Sequence, residues 1–137
     1  MITLEFARAL VARGLAIVPT ESDTEKRPKA QFTTAKSWRE FSDRLPSEAE
    51  LLGWFGAKAR RGGIVLHKGQ LCVDHDTKDG MPSPGDTSTC WEESEHGWHE
   101  FYRCDADARI SHDHDNKIDI LTYGSFVRLN EPQKLLD

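Results

Sequence analysis

No run of apolar residues in this 137-residue sequence approaches the roughly 18 that a membrane span needs. The opening Met1-Ile2-Thr3-Leu4-Glu5 has no basic region ahead of an apolar stretch, so no signal peptide is expected. Cysteine is scarce. Cys72, Cys90 and Cys104 are odd in number and form no CxxC pair, which speaks against both a disulfide framework and a structural zinc. Internal repeats are lacking, and so is any excess of basic charge: the net charge of −5 does not advertise nucleic-acid binding. These absences lead to the expectation of a cytoplasmic protein with no membrane association. A content of 37% hydrophobic and 30% charged residues suits one globular domain over residues 1–137 with a real but small core.

The distribution of charge says more than its sum. Lys26, Arg27, Lys29, Lys36 and Arg39 crowd one segment, Lys58, Arg60 and Arg61 another, and acid is concentrated between Asp74 and Asp119. Along the chain, Leu4, Ala7, Leu10 and Val11 fall at helical spacing and Gly14 stands as a C′ residue. Leu15 to Val18 reads as a buried strand stopped by Pro19. Trp38, Phe41 and Leu45, then Leu51, Leu52, Trp54 and Phe55, suggest two short helices, the second opened by a capping box of Ser47 and Glu50. Ile64-Val65-Leu66 is a strand, and Lys68-Gly69 is expected to make a hairpin turn into the strand ending at Asp76. Residues 78–88 are expected to form a loop, Trp98 to Cys104 a strand, Ala106 to Asn116 a polar connection, and Ile118 to Leu129 a final hairpin. Helices mixed with antiparallel strands make the class α+β. The four aromatics Trp38, Phe41, Trp54 and Phe55 are expected in the core rather than as a base-stacking platform.

Chemistry concentrates on two of the apolar strands. Leu71-Cys72-Val73-Asp74-His75-Asp76 sets two aspartates one position apart, and Lys117-Ile118-Asp119-Ile120-Leu121 supplies a third. Alternate residues of a strand share a face, so Asp74 and Asp76 point the same way, with Cys72 as a buried spacer beside them and His75 on the opposite face for packing. An aspartate between isoleucines is costly unless something neutralises it, and a divalent metal bound to a phosphate is the usual partner of converging carboxylates.

The order of motifs resembles the primase–polymerase (prim-pol) domain of the archaeo-eukaryotic primase superfamily, the type found in plasmid and phage replication proteins. The likeness runs almost end to end. Ala9 to Pro19 is similar to the family's opening helix and strand, and Lys26-Arg27-Pro28 stands at the place of a K-x-P element. Gly69 to Asp76 is similar to the first motif, a strand ending in DxD, with Gly80 just after it. Ser94 to Arg103 is similar to the family's histidine strand, with His96-Gly97-Trp98 where a double glycine is usual. Ile118-Asp119-Ile120 followed by Gly124-Ser125-Phe126-Val127 matches the third motif.

The resemblance implies a largely antiparallel, mixed sheet of the RRM-like primase core flanked by helices. It implies a metal-dependent, template-directed nucleotidyltransferase, a DNA primase/polymerase, that adds nucleotides to a 3′-hydroxyl and releases pyrophosphate. Asp74, Asp76 and Asp119 would be catalytic and would hold two Mg²⁺ or Mn²⁺ ions. His99 would contact the triphosphate, and Arg103, Lys26 and Lys29 would assist it. The implied partners are nucleoside triphosphates, a DNA primer–template or single-stranded DNA, and a helicase or other replication protein.

Other readings stand beside this one. With the sequence stopping soon after the third motif, the chain is expected to be either a catalytic fragment or a minimal domain that relies on partners. A prim-pol-like module that has lost activity and acts by binding or inhibition is one alternative. A metal-dependent endonuclease of rolling-circle type is another, because His112 and His114 have metal-ligand spacing and Tyr123 follows as a possible nucleophile. The residue between those histidines is Asp113, in a stretch with no apolar alternation, so a polar loop is expected there.

Overall fold

Thr3 starts the first helix, α1 (Leu4–Ala12), by accepting the Phe6 N–H on its hydroxyl at 3.1 Å, and the helix gives way to Gly14 at φ 81°. The computed structural model describes residues 1–20, 38–76, 90–93, 97–107, 109, 111–113 and 118–129, with the backbone alone at 76, 90, 91, 93 and 111–113. α1 buries Ala7 and Leu10 and leads into β1 (Ala16–Pro19), buried throughout. Pro19 is the last residue of β1 rather than a stop before it. A proline is tolerated there because β1 is an edge strand among the described residues.

The helix expected around Trp38 is a single 3₁₀ stretch, Trp38–Ser42. Pro46 disfavours helical backbone at Leu45, which limits any extension toward α2 (Glu48–Phe55). α2 carries the expected capping box. Ser47 Oγ accepts the Glu50 N–H at 3.1 Å, and Glu50 accepts the Ser47 N–H at 2.9 Å. Arg44 closes on the same carboxylate at 2.6 and 2.9 Å, and an Arg8–Glu48 ion pair ties α1 to α2.

Six further strands among the described residues are β2 (Gly62–Val65), β3 (Gln70–Asp76), β4 (Cys90–Glu93), β5 (Gly97–Arg103), β6 (Ser111–Asp113) and β7 (Ile118–Leu121), and β8 (Phe126–Arg128) is the seventh. The class is α+β, and the strands form two antiparallel sheets, ordered β1–β2–β8 and β4–β5–β3–β7–β6.

Two expected hairpins are therefore corrected. The turn at Lys68-Gly69 does not pair β2 with β3, and the turn at Gly124 does not pair β7 with β8. Each carries the chain from one sheet to the other. β2 pairs with β8 and β3 with β7, so the two sheets are halves of one bent antiparallel ribbon. At the bend Leu66 accepts the Gly124 N–H at 3.0 Å and donates to Ser125 O at 2.9 Å. Gly69 and Gly124 both sit at φ 85°, a left-handed conformation that glycine adopts without steric cost.

The core lies under α1, α2 and the small sheet. Ile2, Leu10, Ile17, Phe41, Leu51, Ile64 and Leu66 are essentially inaccessible, each contributing about 1.5–3 kcal/mol by burial. Phe41, Trp54 and Phe55 belong to it, stacked edge to face, and Trp38 packs on Phe126, so the aromatics serve the core as expected. Cys72 and Phe101 extend the same core under one end of the five-stranded sheet. No helix among the described residues is long and apolar enough to cross a membrane.

Candidate functional site

β3 is the middle strand of the larger sheet, and its register decides what meets what. Asp74 stands directly opposite His99 on β5 and directly opposite Asp119 on β7. His99 in turn faces Glu92 on β4. Directly paired residues share a face of the sheet, so Glu92, His99, Asp74 and Asp119 make one row across four neighbouring strands. His112, on the edge strand β6, takes the next register position beyond Asp119. Apolar flanking residues hold the strands in this alignment: Cys72 and Phe101 are buried on the same face, two positions along from Asp74 and His99.

His99 is the hinge of the row. Its Nδ1 donates to Glu92 Oε1 at 2.8 Å, and its Nε2 lies 3.3 Å from Asp74 Oδ1. Glu92 is fully buried and His99 nearly so. The Asp74 contact is an ion pair rather than an aligned hydrogen bond, and the buried Oδ1 accepts no hydrogen bond of its own. Burial of the imidazole opposes its charged form. The close contact with Asp74, the hydrogen bond to Glu92 and the attraction of both carboxylates outweigh it and raise the His99 pKa to about 9. At neutral pH the ring is therefore an imidazolium held between two carboxylates.

The opposite face carries a separate polar group. His75 stacks on Trp98 with ring centroids 4.4 Å apart and donates to Glu100 at 2.7 Å, while the Tyr102 hydroxyl donates to the other Glu100 oxygen at 3.2 Å. His75 thus serves packing, as its strand parity implied. Cys72 is fully buried, and its thiol pKa is raised chiefly by that burial, so it remains a protonated spacer.

Of the seven residues singled out in the sequence, the structure brings Asp74, Asp119 and His99 together. Asp76 lies two positions beyond Asp74, where β3 pairs with Gly97. Arg103 does not join them. It pairs with Gln70 at the far end of β5, four residues or about 13 Å from His99. Strand parity gave its face but not its reach. Lys26 and Lys29 lie outside the described residues.

Two members of the arrangement escaped sequence reasoning. Glu92 sits in Cys90-Trp91-Glu92-Glu93, which has no clean alternation to mark a strand. His112 was assigned to a polar loop, whereas Ser111–Asp113 forms an edge strand. A strand of three residues is too short for alternation to mark it. His114 lies outside the described residues. Tyr123 donates to Asp43 at 2.6 Å, which raises its pKa and disfavours the phenolate a nucleophile would need.

Among the described residues no group of three or more His, Cys, Asp or Glu side chains is placed to hold a metal ion. The facing carboxylates of Asp74 and Asp119 have the oxygen chemistry that Mg²⁺ and Mn²⁺ prefer, and Asp74 Oδ1, which accepts no hydrogen bond, already lies against the positive charge of His99. Asp74 and Asp119 would be the ligands from this row, with Asp76 following on the same strand. Neither a protein-family model nor a curated protein matches the chain.

Proposed function

We propose that the chain is a metal-dependent nucleotidyltransferase of the prim-pol type, joining nucleotides to a 3′-hydroxyl on a DNA template. The observation that carries this reading is the direct register of His99, Asp74 and Asp119 across β5, β3 and β7. Phosphoryl transfer asks a protein mainly for positioning and charge stabilisation. Divalent ions held by Asp74, Asp119 and Asp76 would activate the attacking hydroxyl and offset the charge of the leaving pyrophosphate. The chain's own contribution is the protonated His99, a donor for phosphate oxygen. Glu92 fixes the ring through Nδ1, leaving Nε2 as the nitrogen that can exchange Asp74 for a phosphate.

The test is incorporation of a labelled deoxynucleotide into a primer–template with Mn²⁺ or Mg²⁺. Activity that disappears in Asp74→Ala and Asp119→Ala supports the proposal. A folded protein that incorporates nothing, yet binds another replication protein without metal, would sink it in favour of a binding or inhibitory module.

A second reading draws on one observation, the position of His112 next to Asp119 in the register. A metal-dependent endonuclease could use that histidine with the carboxylates. Metal-dependent cleavage of single-stranded DNA that is lost in His112→Ala, without nucleotide incorporation, distinguishes it.

A further inference from the structure

The end of the larger sheet remote from the acidic row carries a different chemistry. A cleft of about 620 Å³ opens between the end of α1, the crossing from β2 to β3, and the end of β5. Arg13, Lys68 and Arg103 line it, one from each of those three elements, and no described lining residue is acidic. In a protein of net charge −5, three cations around one cleft stand out. Lys68 and Arg103, both exposed, present positive charge to the cleft, which favours an anion there.

The cleft is also built rather than incidental. Gln70 bridges its walls, donating from Nε2 to Gly14 O at 2.7 Å and accepting the His67 N–H on Oε1 at 2.8 Å. The bridge locks the end of α1 to the strand crossing. The Lys68 ammonium stands 5.2 Å from the centre of the Tyr123 ring, which limits its wandering. Arg103 is exposed and makes no ion pair among the described residues. Leu15 and the buried Phe101 supply an apolar wall.

We propose that this cleft is a binding site for a small organic phosphate, of mononucleotide size, separate from the Asp74 row and independent of metal. Three cations, two of them forked guanidiniums, match the dianionic charge of a phosphomonoester better than a single carboxylate. The apolar wall accommodates the body that carries the phosphate, and the volume lies within the usual range for small-molecule sites, about 300–1,000 Å³. The phosphomonoester could belong to a free nucleotide or to the 5′ end of a short strand.

The test is calorimetric titration with adenosine 5′-monophosphate in excess EDTA, which silences any metal-dependent site. Wild type and Asp74→Asn are expected to bind it alike, and adenosine is expected to bind at least about tenfold more weakly. Arg103→Gln and Lys68→Gln each weaken binding by about tenfold or more, and together they abolish it, with circular dichroism unchanged because both side chains are exposed. Comparing the mononucleotide with 5′-phosphorylated and 5′-hydroxyl tetrathymidylate names the source, and a preference for either phosphorylated ligand supports the site. No binding by wild type at millimolar nucleotide, or equal affinity in the double variant, overturns it. Loss of binding in Asp74→Asn alone would also overturn it and assign the nucleotide to the acidic row.

Discussion

His99 Nε2 lies 3.3 Å from Asp74 Oδ1, so the side chain expected to meet phosphate is engaged by one expected to meet metal. With Glu92 on its other nitrogen, the imidazolium is stabilised on both sides. The folded-state pKa of about 9 lies above the ordinary value of 6.5. A raised histidine pKa means that the folded state holds the proton more tightly than the unfolded chain. The resulting stabilisation is fully present below pH 6.5 and is lost as pH rises through 9. Urea unfolding is expected to show wild type losing on the order of 3 kcal/mol between those limits, relative to His99→Gln. A stability profile parallel to that of the variant across this window would contradict the clamp.

Glu92 is the member of this clamp with no exposure at all. Replacing it with alanine leaves His99 with one carboxylate partner and removes a buried counter-charge. Breaking a buried pair this way costs about 3–5 kcal/mol. The melting temperature of Glu92→Ala should fall accordingly, and an NMR titration should show the His99 pKa reduced. Glu92→Gln keeps a hydrogen-bond acceptor and should lose less stability while lowering the same pKa. An unchanged titration in both variants would mean that Asp74 alone holds the proton.

Much of this site could be read from local patterns. The apolar neighbours of Asp74 and Asp119 marked their strands, alternation assigned Cys72 and His75 to opposite faces, and Ser47 with Glu50 announced the start of α2. What failed was non-local. Lys68-Gly69 has the composition of a hairpin turn, but which strand pairs with β2 depends on β8, about sixty residues later in the chain. Arg103 illustrates the same limit: parity places a side chain on a face, whereas its distance from another residue depends on register. Glu92 and His112 lie on short strands of four and three residues, too short for alternation to mark them, and what they meet is set by strands distant in the chain.

A divalent ion that binds only the folded protein must raise its stability by mass action. Under the proposed function, Mn²⁺ at about a hundred times its dissociation constant adds about 2.7 kcal/mol. The melting temperature of wild type is expected to rise with Mn²⁺ and fall back with EDTA. Asp74→Asn and Asp119→Asn should each remove most of that response, because the two carboxylates face each other in register. His75→Gln, on the other face, should retain it. Equal Mn²⁺ stabilisation in wild type and both aspartate variants would locate the metal elsewhere.

The acidic row depends on the ribbon that carries it, and Gly63 is where that ribbon is tightest. β2 is the central strand of the smaller sheet, and a Cβ on Gly63 would lie 2.3 Å from Val127 O and 2.5 Å from the Phe126 ring. The carbonyl belongs to the β2–β8 ladder and cannot move without breaking its register. Gly63→Ala should therefore cost about 3 kcal/mol, seen as a lowered urea midpoint with an unchanged slope. Gly53 provides the contrast: it is an exposed position of α2, and a Cβ there meets nothing within 4 Å. Gly53→Ala replaces a poor helix former with the best one and should stabilise by about 0.5–1 kcal/mol. If both alanines behaved alike, the close approach of β2 to β8 would be wrong, and with it the alignment that passes from the small sheet into Asp74 and Asp119.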